Sequence, residues 1–248
     1  MLAVRERAEC SRAHPSALVA GIFDVDGVLL ASPHERAWRE ALDGLADPIR
    51  FTSPVYQALV AGKPRLAGAL SALEALGVPD AERQATAYAE RKQARLEVLV
   101  RAGAVHAFPD ALRFVQSLAA LGLPMACASS SKNADAMMRE IWLDGGGNLL
   151  DIFKANVNGR DLRQGKPNPE IFLLAATELH VEPARCFVVE DASAGIEAAR
   201  AGGMAALGVA RLGDADVLKA AGADLVVTSL DDVAIDDLAA GRLRCRRT

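Results

Sequence analysis

Ala17-Leu18-Val19-Ala20-Gly21-Ile22-Phe23-Asp24-Val25-Asp26-Gly27-Val28 is the stretch on which the reading of this chain turns. The apolar half, with a glycine turn signal, reads as a buried β-strand. At its end stand two carboxylates, two residues apart. Such a pair repels itself, and a packed core gives no reason for it. The pair makes sense if a cation sits between the two and something anionic has to be handled. As bare turn chemistry, Asp and Gly would also serve.

Composition narrows the choice. The 248 residues are 51% hydrophobic and 24% charged, an ordinary globular balance with room for one large domain or a core plus an insertion. A formal net charge of −4 leaves no electrostatic footprint for nucleic acid. Arg242, Arg244, Arg246 and Arg247 make a basic C-terminal end, read as a solvated, frayed tail. Cys10, Cys127, Cys186 and Cys245 show no metal spacing, and Cys127 and Cys186 sit in apolar runs as buried, reduced thiols. Arg5, Arg7 and Arg12 faintly resemble the start of a signal peptide. The apolar stretch after them runs straight into Asp24, however, and no run approaches transmembrane length. The expectation is a cytoplasmic protein with no membrane partner, a monomer by default, preceded by an extra tail over residues 1–16.

From Gly103 onward, apolar runs alternate with helical patterns. Pro124–Ala128, Cys186–Val189, Ala205–Val209 and Asp224–Val227 read as strands, with helices such as Pro109–Leu121 and Pro169–Leu179 between them. Such alternation predicts βαβ units and a parallel sheet, an α/β fold. From Ser32 to Arg101 only helical periodicity recurs, over Ala37–Leu45, Pro64–Leu76 and Ala81–Val100. An all-α block between the first strand and the rest of the sheet implies an inserted cap. The expected division is a Rossmann-like core over residues 17–31 and 104–248 and a helical cap over 32–103. Gly145-Gly146-Gly147 lacks the ending of a P-loop and reads as a flexible turn, and Trp142 reads as packing.

Four polar signals fall just after apolar runs, where the carboxyl ends of parallel strands form a crevice. They are Asp24 and Asp26, then Ser129, then Lys166 in Gly165-Lys166-Pro167-Asn168-Pro169, then Glu190-Asp191. A phosphate dianion beside these carboxylates faces repulsion of roughly 4 kcal/mol per close charge pair at an effective dielectric near 20. Mg²⁺, a hard cation suited to carboxylates, carbonyls, water and phosphate, removes that obstacle. Lys166 adds a compact positive charge and Ser129 a hydroxyl donor. One carboxylate can then attack phosphorus while another transfers a proton.

The order DxDGV, strand-terminal Ser, Lys-Pro, then Glu-Asp resembles the haloacid dehalogenase superfamily of aspartyl-nucleophile phosphotransferases, over Ile22 to Asp231. The resemblance implies a Rossmann-like core with a mobile helical cap. It makes Asp24 the nucleophile that forms an aspartyl phosphate. Asp26 becomes the general acid/base, with its backbone carbonyl on the metal. Ser129 and Lys166 become the phosphate-binding pair, and Glu190 and Asp191 the acidic metal pair. Metal-independent dehalogenases also belong to the superfamily, but halide displacement needs neither Asp26 nor the acidic pair.

What receives the phosphoryl group is the finer question. A phosphatase lets water attack, whereas a mutase excludes water and hands the group to a second sugar hydroxyl. Ala128-Ser129-Ser130-Ser131-Lys132-Asn133 resembles the ASxSKN segment of β-phosphoglucomutases, which makes Ser130, Ser131, Lys132 and Asn133 substrate-binding candidates. Gly62-Lys63-Pro64-Arg65 resembles that subfamily's GxxR, whose Arg grips the distal phosphate. His34-Glu35-Arg36-Ala37-Trp38 resembles its HxRAW, with His34 toward the acid/base Asp and Trp38 lining the sugar site. Lys92 in Glu90-Arg91-Lys92 resembles a cap substrate contact. Simpler readings stay open: Arg65 and Lys92 as surface charges, Trp38 as cap core, and Lys132 and Asn133 as helix-start residues. One departure stands out, for the seven residues 27–33 between Asp26 and His34 are a shorter link than the subfamily usually has. The implied activity is a Mg²⁺-dependent β-phosphoglucomutase acting on a phosphorylated sugar. The alternatives are a phosphatase for a small sugar or polyol phosphate, or a catalytically silent binder, for which the intact set of six polar residues has no use.

Overall fold

The computed structural model describes residues 16–246, so the expected N-terminal tail, apart from Ser16, lies outside the described residues, as do Cys10, His14 and Arg247. The chain begins β1 (Ala20–Phe23), β2 (Leu30–Ala31), α1 (His34–Glu40), α2 (Ser53–Leu59), α3 (Arg65–Ala75) and α4 (Ala81–Arg101). It continues with β3 (His106–Ala107), α5 (Pro109–Ala120), β4 (Met125–Cys127), α6 (Ala134–Arg139), β5 (Ala155–Asn156) and α7 (Glu170–Leu179). It closes with β6 (Cys186–Glu190), α8 (Ser193–Ala201), β7 (Ala205–Val209), α9 (Ala215–Ala220), β8 (Leu225–Val227) and α10 (Ile235–Ala239).

Six of these strands form a parallel sheet in the order β5-β4-β1-β6-β7-β8. β1 lies between β4 and β6, with Phe23 opposite both Cys127 and Val189. Its residues are all buried because both faces of a parallel sheet are covered. Alternate side chains feed opposite layers. Phe23 joins Phe114, Met137 and Phe187 on the side of α5 and α6. Ile22 joins Phe172, Val188 and Ile196 on the side of α7 and α8. Phe23 meets the rings of Phe114, Phe153 and Phe187 edge-on, at 6.0, 5.8 and 6.2 Å between centroids.

Between β1 and the rest of the sheet, α1–α4 pack around a separate apolar cluster that includes Trp38, Leu42, Phe51, Leu73 and Tyr88. The buried Tyr88 hydroxyl donates to the Trp38 carbonyl at 2.9 Å, which satisfies its polar tip. The α/β core with an inserted helical cap is therefore the architecture. Where the chain leaves and re-enters the core, β2 and β3 pair antiparallel, with Ala31 opposite His106.

Two expectations fail. Trp142 is not packing: it stands 74% exposed in the loop after α6, bridged to Asn148 through its backbone. The C-terminal end is not frayed as far as Arg246, because Ala234 N–H donates to the Arg244 carbonyl and Arg246 N–H to that of Asp232. Arg242 also pairs with Asp237. Backbone pairing holds a segment that its charge pattern assigned to solvent. Cys127 and Cys186 are buried free thiols, pushed up to about 12 and about 11 by burial. Among the described residues, no helix is long and apolar enough to cross a membrane.

Candidate active site

The carboxyl ends of β1, β4 and β6 open onto a cleft of about 460 Å³ between core and cap. Asp24 follows β1 directly, and its own N–H is held by the Val189 carbonyl of β6 at 3.0 Å. Lys166, buried to 2% exposure, donates to Asp24 Oδ1 and, at 2.6 Å, to Glu190 Oε1. The other Glu190 oxygen, Oε2, accepts from the N–H groups of Asp191 and Ala192 at 3.0 and 3.2 Å. Glu190 sits so close to the opening turn of α8 that a Cβ at Gly195 would fall 1.9 Å from Oε1. Gly27, at φ +87°, is required twice over: by its backbone, and because a Cβ there would lie 1.9 Å from Asp191 Oδ2.

Oxygens of Asp24, Glu190 and Asp191 come within 4.8 Å of one another. Burial raises Asp24, pushes Glu190 up to about 7 and raises Asp191 well above the carboxylate range, with Lys166 opposing each shift. Lys166 is itself raised, because the two carboxylates outweigh the cost of its burial. One ammonium does not balance three converging carboxylates, and no hydrogen bond from a described residue reaches the Asp191 carboxylate. An all-oxygen, net-negative set of this kind fits a hard divalent cation such as Mg²⁺. The Asp26 carboxylate is not part of this cluster; the expectation for Asp26 concerned its backbone carbonyl.

Asp26 turns toward the cap instead. His34 Nε2 lies 3.4 Å from Asp26 Oδ2, so the short link still brings the two together. Lys92, on α4, points its Nζ at His34 Nδ1 across 2.7 Å and lies 4.9 Å from the centroid of the Trp38 ring. As an ammonium Lys92 can only donate, so in that form Nδ1 accepts and the ring proton is left on Nε2, facing Asp26. Burial holds His34 well below its ordinary value, reinforced by Lys92 and Arg65, so the imidazole is neutral. Burial also raises Asp26, whose Oδ1 is buried with no hydrogen-bond partner among the described residues. Lys92 is not a surface lysine: it is 3% exposed, and burial brings it down to about 7. Trp38 serves both readings, since it is cap core and also lines the cleft.

The loop after β4 brings the remaining candidates to the rim. Ser129 is 3% exposed, its N–H is held by Asn158 Oδ1 at 2.8 Å, and its Oγ accepts from Ser131 N–H at 3.1 Å. Ser130 Oγ reaches the cap at the Gly62 carbonyl, 3.3 Å away. Asn133, just before α6, exchanges side-chain amide hydrogen bonds with Gln93 of α4 at 3.0 and 3.2 Å. Lys132 is mostly exposed and paired with Asp161 at 2.7 Å. Arg65, the first residue of α3, is half-buried and lines the cleft. Sequence reasoning missed Tyr56, Gln57 and Gln93, which also line it. Gln93 adjoins Lys92 and could have been read with it; Tyr56 and Gln57 sit on a short helix with no motif to mark them. His106 and His180 take no part.

A family model described as haloacid dehalogenase-like hydrolase matches residues 20–203. The β-phosphoglucomutase of Mycobacterium bovis is 34% identical, covering 88% of this chain and 92% of that protein. A phosphorylated carbohydrates phosphatase of Thermotoga maritima is 32% identical, covering 84% of this chain and 93% of its own. The crystal structure of an archaeal β-phosphoglucomutase from Pyrococcus sp. strain ST 04 superposes with a TM-score of 0.72 at 30% identity, over 90% of this chain and 98% of that one.

Proposed function

The chain belongs to the haloacid dehalogenase superfamily, in its β-phosphoglucomutase-like subfamily, and from that membership we propose a Mg²⁺-dependent phosphomutase that interconverts β-glucose 1-phosphate and glucose 6-phosphate. The observation that carries the reading is the stacking of two proton and charge arrays in one cleft. From below, Lys166 holds Asp24 beside Glu190; from above, Lys92 and His34 face Asp26.

In this reading Asp24 attacks phosphorus and the ester oxygen departs, leaving an aspartyl phosphate. Asp26, raised by burial, supplies the proton that the leaving oxygen needs. As a carboxylate it then takes the proton of the incoming hydroxyl, which displaces Asp24. Neutral His34 holds Asp26 without competing for its proton. Lys166 and Ser129 bind the transferring phosphoryl group, and Arg65 with Ser130, Ser131, Lys132 and Asn133 hold the sugar's far end. Asp24, Glu190 and Asp191 would hold Mg²⁺, with the Asp26 backbone carbonyl, and the ion when bound neutralises charge on the phosphoryl oxygens. The cap, taken as residues 32–103, keeps water from the phosphoenzyme.

A phosphatase is the second reading, favoured by relatives such as the Thermotoga phosphatase. One assay separates them: purified protein, Mg²⁺, β-glucose 1-phosphate and catalytic β-glucose 1,6-bisphosphate. Glucose 6-phosphate as the product is the expected result, with a chelator abolishing turnover. Free phosphate with glucose would overturn the mutase reading.

A further inference from the structure

The loop after β7 carries one side chain that joins several distant segments. Arg211 Nε donates to the Gly27 carbonyl at 2.9 Å, and its two terminal nitrogens donate to the Val28 carbonyl at 3.0 Å and to Asp110 Oδ2 at 3.1 Å. Its guanidinium carbon lies 3.7 Å from the centroid of the Phe108 ring. Asp110, 7% exposed at the start of α5, is tied in turn by Ser229 Oγ at 3.1 Å and Leu230 N–H at 2.8 Å.

These contacts meet where the chain crosses between core and cap. Gly27 and Val28 begin the outgoing crossing, and Phe108 ends the returning one. Phe108 N–H donates to the Leu29 carbonyl at 3.0 Å, next to the β2–β3 pair. A planar fork that hydrogen-bonds one crossing and stacks on the other fixes their separation, which a lysine ammonium has no geometry to do. Gly27 is confined from another side by the Asp191 carboxylate.

We propose that Arg211 is a positioning residue for phosphoryl transfer: it anchors the core end of the cap hinge and so sets Asp26 and His34 over Asp24 when the cap is closed. Asp26 immediately precedes the gripped Gly27, and His34 ends the same crossing. Cap motion is then displaced to the cap side of the anchor, at Ala31–Pro33 and at Gly103, whose φ is +76°. The proposal rests on the cleft being a phosphoryl-transfer site, not on which acceptor it uses.

The test compares wild type with Arg211→Met and Arg211→Lys, reading kcat/KM with Mg²⁺ on a hexose phosphate and on p-nitrophenyl phosphate, together with thermal midpoints. Amide exchange at Phe108 and Leu30 is followed alongside. Both variants are expected to lose about 10–100-fold on the hexose phosphate, in kcat more than in KM, and within about threefold on the aryl ester. Faster exchange at Phe108 and Leu30 should accompany the loss. Equal losses on both esters, no loss, or restoration by Lys would overturn the proposal. If Arg211→Met does not fold, Asp110→Asn, which frees the guanidinium from α5 alone, should show the same selectivity at smaller size; an unselective loss there overturns it too. A wild-type protein that cleaves the aryl ester but no hexose phosphate defeats the sugar-phosphate reading, and the anchor is then decided by exchange: unchanged protection in Arg211→Met overturns it.

Discussion

Lys92 concentrates the conflict between stability and function at a single residue. A cation buried to 3% exposure, with a neutral imidazole for its nearest polar neighbour, is costly to keep charged. Burial lowers it from 10.5 to about 7, so between these values the unfolded chain binds a proton that the folded chain does not. Stability from this group therefore rises with pH across that window. Lys92→Met removes the penalty and fills the same space. It should stabilise the protein by about 2–4 kcal/mol at pH 7, with the gain shrinking toward pH 10. Chemical unfolding of both proteins at pH 7 and pH 9.5 checks it, and a constant difference would contradict the assignment. Activity should fall in the same variant, since His34 loses the donor that fixes its tautomer. Asp24, Asp26, Ser129, Glu190 and Asp191 were legible because each lies at the end of β1, β4 or β6; Lys166, also expected after a strand, instead sits in the turn before α7 and was legible only through its Gly-Lys-Pro context. The burial of Lys92 was not, because a charge on a helix reads as solvated until the neighbouring helix and loop are placed.

The cap touches the core closely at one glycine. Pro64, just ahead of α3, lies over Gly165, and a Cβ at Gly165 would fall 2.0 Å from the Pro64 ring. A proline ring has little room to yield, so Gly165→Ala should prop the cap away from the core without disturbing either cluster. Transfer to a sugar is expected to fall by about tenfold or more, and the share of phosphoryl groups lost to water to rise. Product ratios by NMR with an unchanged thermal midpoint would bear this out; unchanged ratios would count against it. At this scale the longer elements were readable from periodicity, as with α4 (Ala81–Arg101) against the expected Ala81–Val100. β2, β3 and β5 have two residues each, too few to show a period, and the seven-residue α2 carries a proline in its first turn. Trp142 shows the converse, since a large aromatic in a loop has no periodicity to say which way it faces.

Over the whole molecule, a six-stranded sheet presents fixed carboxylates at the carboxyl ends of its two central strands, and a helical cap brings the rest of the site onto them. Ser130 to Gly62, Asn133 to Gln93 and Asp26 to His34 are the polar links that cross the cleft. The parallel sheet was predictable from alternation, though its strand order was not. The hinge was not, because it is built by Arg211 and Asp110 from segments far apart in sequence. The account as a whole depends on a covalent phosphoryl group at Asp24. The direct measurement is an acid-quenched single turnover with phosphoryl-labelled sugar bisphosphate and Mg²⁺, followed by peptide mapping. The account predicts label on the peptide carrying Asp24, lost when unlabelled sugar monophosphate is added and absent in Asp24→Asn. Product formed with no label on the protein at any time, or label on another residue, would contradict it.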